Sequence, residues 1–346
     1  MSFYAHERRI AELACRRASL LTDSVYHSQV KGTVTKEDKS PVTIADFGAQ
    51  SIVIGAVLHA FPNDVVVGEE DADVLRQDSH TRDLVWNLAR KAVEDSTELS
   101  GDIGSIKDAE EMMSLIDRGN SMGGNKGRIW ALDPIDGTKG FLRGDQYAVC
   151  LALMVDGEVV TGALACPNLL VDPSNPSGPR GVLFSVTKGE GSTMKPLSSP
   201  LSAEGVPVHM NALTDITAAS TCEGVEAGHS SHSQQANIVA ALGITKPSVR
   251  MDSQAKYGSI ARGDGDVYLR LPTSKTYQEK IWDHAVGKLL VEEAGGIVTD
   301  AYGKPLDFSI GRTLSANKGV VAAPKGLHAV VIKAVRGELE KAEAAL

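Results

Sequence analysis

Two aspartates three residues apart sit in the segment Trp130-Ala131-Leu132-Asp133-Pro134-Ile135-Asp136-Gly137-Thr138. The apolar run before Asp133 predicts a strand. Pro134 and Gly137 predict a tight turn after it, so Asp133 and Asp136 can converge on one point. The carbonyl of Ile135 lies between them as a third oxygen donor, and hard oxygen ligands of this kind suit magnesium better than zinc or copper. An aspartate-rich turn whose side chains cap the backbone is the competing explanation. Gly68-Glu69-Glu70 follows the short apolar run 65–67. That puts acidic residues just past a strand end, where α/β folds place their sites, although a solvated acidic loop or a helix start also accounts for them. Asp283, in Ile281-Trp282-Asp283-His284-Ala285, opens an apolar-periodic helix. It either caps that helix or ligates a metal while the helix N-terminus faces an anion. Asp46 lies among apolar neighbours early in a helix, where a carboxylate needs a partner such as a metal ion. Asp46-Phe47-Gly48 is not a kinase motif, because no His-Arg-Asp loop or Val-Ala-Ile-Lys strand accompanies it.

The elements that must position these groups follow from periodicity. Helices are predicted over 5–26 and 43–60, with a polar mobile loop over 27–42 between them. A buried strand over 65–67 leads into the first acidic cluster. Residues 71–118 read as mostly helical, 119–127 as a loop and 128–132 as a strand. The apolar runs 147–155 and 159–165 flank Asp156-Gly157-Glu158 and predict a hairpin, since Asp-Gly tolerates the positive φ values of a tight turn. Another strand is predicted over 181–186. The Pro- and Ser-rich segment 196–207 is the best candidate for a domain boundary. Beyond it, helices over 232–242, 254–262 and 284–294 alternate with strands near 266–271 and Val320, and a charged helix starts near Gly326. The expected division is an N-terminal α+β domain, 1–200, with most of the carboxylates, and a C-terminal α/β domain, 201–346, with Asp283.

Composition narrows the function classes. The 346 residues are 42% apolar and 23% charged, the mix of a globular protein with a real core. A formal charge of −9 argues against nucleic-acid binding, but metal ions could reverse the local sign for an anionic substrate. None of the four cysteines forms a Cys-x-x-Cys pair, and the charged N-terminus reads as an amphipathic helix rather than a signal peptide. No run is long and apolar enough for a membrane span. An intracellular, cytoplasmic monomer acting on a small molecule is expected.

Taken in order, Asp46, Gly68-Glu69-Glu70, Asp133-Pro134-Ile135-Asp136-Gly137-Thr138 and Trp282-Asp283 resemble the motifs of the lithium-sensitive, magnesium-dependent phosphatases related to inositol monophosphatase. The match spans most of the chain. Gly137 to Gly144, Gly228 to His232, Asp252 to Tyr257 and Val267 to Pro272 are similar to the 3′(2′),5′-bisphosphate nucleotidase branch, especially its fungal members. The one small departure is Val286, where Ala is usual. The resemblance implies an α/β/α/β/α sandwich and two or three Mg2+ ions, with inhibition by Li+. Metal ligands would be Glu69, Asp133, the Ile135 carbonyl, Asp136 and Asp283. Asp46 and Thr138 would orient and deprotonate the attacking water, and Ala at either position should cut turnover by orders of magnitude with the fold intact. His229, Ser253, Lys256 and Arg270 would hold the nucleotide, with Thr138 and Asp283 also near the substrate. Read without the resemblance, Arg270 is a surface residue on a strand, and His229 and His232 are loop imidazoles. The implied reaction is removal of the 3′-phosphate from adenosine 3′,5′-bisphosphate, with 3′-phosphoadenosine 5′-phosphosulfate as a second substrate and a place in sulfate assimilation. The rivals are an inositol phosphate phosphatase of the same superfamily and a non-catalytic phosphonucleotide sensor.

Overall fold

The computed structural model describes residues 3–27, 33–35, 41–225, 232–272, 274 and 276–344. In chain order the elements are α1 (Ala5–Tyr26), β1 (Thr33–Thr35), β2 (Pro41–Thr43), α2 (Ile44–Ala60), β3 (Val65–Gly68), α3 (Asp73–Gln77), α4 (Ser79–Glu94), α5 (Ser100–Ile103), α6 (Ala109–Asp117), β4 (Arg128–Asp136), α7 (Thr138–Arg143), β5 (Ala148–Val155), β6 (Glu158–Leu170), β7 (Arg180–Thr187), β8 (Gly191–Pro196) and β9 (Val206–Pro207). The remainder are β10 (Thr221–Glu223), α8 (His232–Ala241), β11 (Val249–Arg250), α9 (Ala255–Ala261), β12 (Val267–Arg270), α10 (Ala285–Glu293), β13 (Gly296–Thr299), β14 (Val320–Pro324) and α11 (His328–Ala344). Two short antiparallel strands, β1 and β2, occupy part of the segment expected to be a loop. Residues 28–32 and 36–40 of that segment lie outside the described residues.

Strands β3 to β9 form one sheet in sequence order, parallel between β3 and β4 and antiparallel thereafter. A second sheet has the order β11-β10-β12-β14-β13. Helices α1 and α2 cover one face of the first sheet. Helices α9 and α10 lie between the two sheets, and α11, paired with α8, covers the outer face of the second. The result is a five-layer α/β/α/β/α sandwich with three apolar clusters, the middle one spanning both junctions of the central helix layer. The middle cluster draws Met154, Leu164 and Phe184 from the first sheet, Leu289 and Leu290 from α10, and Tyr268 and Ala322 from the second. This layering explains why Ala-Val-Cys-Leu-Ala-Leu-Met in β5 reads as a continuous apolar run. A strand covered on both faces has no polar side. For the same reason α2 is buried almost all round, between α1, α4, α6 and β4.

Asp64, just before β3, anchors the strand that delivers Asp133. Its carboxylate accepts from the buried Trp130 indole Nε1 at 2.8 Å and from Arg128 Nε at 2.8 Å. Asp64→Ala leaves both donors without that acceptor and should cost about 2–4 kcal/mol. A urea midpoint equal to that of the wild type would show that the anchor is unimportant. No described helix is long and apolar enough to cross a membrane. All four cysteines are buried free thiols.

Candidate active site

The Asp133 segment is built as expected up to its turn, and then differs. Strand β4 continues through Pro134 to Asp136, with irregular pairing to β5 between Asp133 and Asp136. Pro134 costs nothing there, because the pairing of β4 with β3 ends at Leu132. The chain turns at Gly137, whose φ is 88°. A Cβ at Gly137 would also lie 2.8 Å from the Cβ of Ser253, so the close approach of β4 to the Ser253 loop requires glycine. Ser253 itself holds a left-handed φ of 65°, a strain of about 1 kcal/mol for a non-glycine residue. Thr138 then opens α7, and its hydroxyl donates to the Ile135 carbonyl at 3.2 Å.

Glu69, Asp133, Ile135, Asp136, Thr138, Ser253, Lys256, Arg270 and Asp283 all line one cleft of about 230 Å³. Asp133 is 2% exposed, and its Oδ1 is buried with no hydrogen-bond partner among the described residues. Burial, followed by the negative neighbours Glu69, Asp136 and Asp283, pushes its pKa well above the usual carboxylate range. Burial also raises Asp136 and Asp283. Lys256 and Arg270 pull against the shift at Asp136, and Arg270 does so at Asp283. A buried cluster of carboxylates with an unused oxygen is a donor set that fits a hard divalent cation. Among the described residues, the trio of ligand-type groups that closes to within 4.8 Å is instead Glu279, Asp283 and His284. Those groups are already engaged with protein partners.

Asp283 does not cap α10. It lies in the preceding 3-10 turn, and His284 takes the cap position. Asp46, in contrast, does serve the backbone. Its Oδ2 accepts from the Thr43 N–H at 2.8 Å and the Thr43 hydroxyl at 2.6 Å, completing a capping box at the start of α2.

Arg270 is not a surface residue, since its side chain is 13% exposed. Its Nε lies 2.8 Å from Glu279 Oε2, and its Nη2 lies 3.4 Å from Asp283 Oδ2 and 3.2 Å from the Tyr277 hydroxyl. Burial works against the Glu279 carboxylate, but Arg270 and His284 outweigh it and hold its pKa down to about 2. His284 Nε2 meets Glu279 at 3.0 Å and Nδ1 meets the Tyr257 hydroxyl at 2.8 Å. A carboxylate only accepts, so Nε2 carries the proton and Nδ1 accepts from Tyr257. Lys256 Nζ donates to the Ser253 carbonyl at 2.7 Å and lies over the Tyr268 ring. Burial lowers its pKa, against the pull of Asp136. His229 lies outside the described residues.

Sequence reasoning missed the supports behind these groups. Gln50 in α2 donates to the Glu70 carbonyl at 2.6 Å and accepts from the Glu70 N–H at 3.0 Å, fixing the acidic turn after β3. A glutamine inside an apolar helix was the available signal. Glu279 carried none, as it sits in a polar stretch.

The profile of the inositol monophosphatase family matches residues 92–340. The chain belongs to the inositol monophosphatase family. Its relatives include the 3′(2′),5′-bisphosphate nucleotidases of Emericella nidulans, 56% identical over 97% of this chain and 99% of theirs, and of Schizosaccharomyces pombe, 53% identical over 99% and 98%. Solved inositol monophosphatase-type structures share the fold. The extragenic suppressor protein suhB from Bartonella henselae superposes with a TM-score of 0.61 at 19% identity, covering 94% of this chain and 96% of its own. An inositol monophosphatase from Zymomonas mobilis gives 0.60 at 17% identity, covering 97% and 100%. The chain is thus an enzyme of the phosphatase type carried by the inositol monophosphatase family.

Proposed function

We propose that the chain hydrolyses the 3′-phosphate of adenosine 3′,5′-bisphosphate, releasing adenosine 5′-monophosphate and inorganic phosphate. The carrying observation is the mixed polarity of one cleft, lined by the five carboxylates Glu69, Asp133, Asp136, Asp252 and Asp283 and also by Lys256 and Arg270. A bisphosphate presents two anionic ends, and such a cleft offers each a different reception. Relatives named for this reaction, more than half identical over nearly the whole chain, support the same substrate.

In this reading Glu69, Asp133, Asp136, Asp283 and the Ile135 carbonyl hold the magnesium ions. When bound, magnesium offsets the charge of the carboxylates and the phosphate and acidifies water. The protein supplies placement, which is most of what phosphoryl transfer asks for. The Thr138 hydroxyl orients the attacking water and passes a proton on as it accepts one, and the Asp46 carboxylate is the base on which the water's proton ends. Lys256 and Arg270 hold the 5′-phosphate, Arg270 by the charge and planar donor set of its guanidinium. Ser253 and His229 complete the nucleotide site. 3′-Phosphoadenosine 5′-phosphosulfate has the same two anionic ends and fits the same scheme, which would place the enzyme in sulfate assimilation.

The test is phosphate release with magnesium from adenosine 3′,5′-bisphosphate, inositol 1-phosphate, inositol 1,4-bisphosphate and fructose 1,6-bisphosphate, with and without lithium. Fast, lithium-blocked release from the adenosine compound is expected. Preference for an inositol or sugar phosphate would overturn the substrate, and silence on all four would favour a sensor.

A further inference from the structure

We propose that Arg312 is a positioning residue for the metal-binding carboxylates, tying the turn that carries Glu69 to the turn that carries Asp283. The inference rests on the phosphatase reading of the cleft. Arg312 lies on the segment between β13 and β14, half-buried and away from the cleft lining. Its Nη2 donates to the Gly68 carbonyl at 2.6 Å. Its Nη1 donates to the carbonyls of Gly119 and Ser121 at 3.1 and 2.9 Å. All three acceptors belong to the end of β3 or to the loop beside it, where Gly119 also accepts from the Gly68 N–H at 2.8 Å. The Gly68 carbonyl immediately precedes Glu69.

The same residue holds the other side. Its guanidinium carbon lies 4.8 Å from the centre of the Trp282 ring, and Trp282 immediately precedes Asp283. Its backbone carbonyl accepts from the Ile281 N–H at 3.1 Å, and Leu314 N–H donates to the Glu279 carbonyl at 2.8 Å, so the backbone of 312–314 runs bonded to 279–281. One side chain therefore joins carboxylate-bearing turns that come from different sheets and lie more than 200 residues apart in the chain. Lysine keeps the charge but offers a point rather than a planar fork, so it cannot span three carbonyls and lie flat on an indole.

The experiment follows Mn2+ binding to the substrate-free protein by calorimetry, beside the magnesium dependence of hydrolysis. Arg312→Lys should weaken Mn2+ binding by about 10-fold or more, as losing groups that orient metal ligands does. The magnesium needed for half-maximal rate should rise in parallel, with the nucleotide KM at saturating magnesium little changed. Arg312→Ala should regain part of the lost Mn2+ affinity when millimolar guanidinium is added. A melting temperature that falls while Mn2+ affinity stays at the wild-type value would make Arg312 merely structural and overturn the proposal. Should Arg312→Lys fail to fold, Arg312→Gln, with two N–H donors and no charge over Trp282, carries the same readout. Unchanged affinity there overturns the proposal too. A wild type that takes up no Mn2+ would sink the phosphatase reading itself, an outcome distinct from a normal wild type with an indifferent Arg312.

Discussion

If Asp133 holds magnesium as proposed, Asp133→Asn should reduce phosphate release by about three orders of magnitude or more, because a ligand carboxylate would be lost from a site where the metal would supply several kcal/mol of charge stabilisation. The same change should leave the metal-free protein at least as stable as the wild type. The Asp133 Oδ1 has no partner to lose among the described residues, and burial together with Glu69, Asp136 and Asp283 opposes its ionisation. The sign follows from linkage. A carboxyl whose folded pKa lies above its unfolded value favours folding fully at acid pH, and that contribution is lost as pH rises through the folded pKa. Asparagine imitates the protonated form at every pH. Thermal melts in chelator should therefore show the variant gaining on the wild type as pH rises from acid to neutral. A variant that is less stable than the wild type at neutral pH would mean that Asp133 is held by something other than metal.

Thr138→Ala should lower kcat by about 10²–10⁴-fold, the usual contribution of a positioned proton-transfer partner, with the melting temperature nearly unchanged. The hydroxyl's bond to the Ile135 carbonyl, 3.2 Å long, is worth little to the fold because that carbonyl can be hydrated in an open cleft. Thr138→Ser should restore most of the rate, since it keeps the hydroxyl and removes a methyl. A Thr138→Ala enzyme within a few-fold of the wild type would remove the water-activating role. The companion expectation, that Asp46→Ala leaves the fold intact, needs amendment. Asp46 completes the capping box of α2, and its loss costs about 1 kcal/mol of stability along with any rate. Asp46→Asn retains a side-chain oxygen for the Thr43 N–H and is the cleaner probe.

Legibility in the sequence tracked the range of the forces involved. Helices α1 and α2, the β5–β6 hairpin with positive φ at Asp156 and Gly157, and α9 to α11 were all readable, because apolar period and turn chemistry are local. Strands β1, β2, β8 to β11 and β13 were not. Most are two to four residues long and form only because a neighbour offers an edge, and β8, Gly-Ser-Thr-Met-Lys-Pro, has no apolar alternation to announce it. The carboxylates of the cleft stood out only as a set, because four separated motifs in order resemble one family, whereas each alone is equally a capping turn, a solvated loop or a helix start. Their supports did not. Gln50, Glu279 and Arg312 act by bonds to residues 20, 9 and 244 positions away in the chain, and spacing carries no trace of such pairings.

The helix layer shared by the two sheets has a consequence for how such a molecule can diversify. The strands divide between residues 207 and 221, but the apolar seam does not divide with them, since Phe184 of β7, Leu289 of α10 and Tyr268 of β12 pack in one cluster. Exchanging the later half of the chain for that of a distant cousin would require every interdigitating side chain along the seam to be recut at once. New substrates are reached more readily by piecemeal replacement of the few side chains that face the cleft, while the buried interlock between the halves stays conservative.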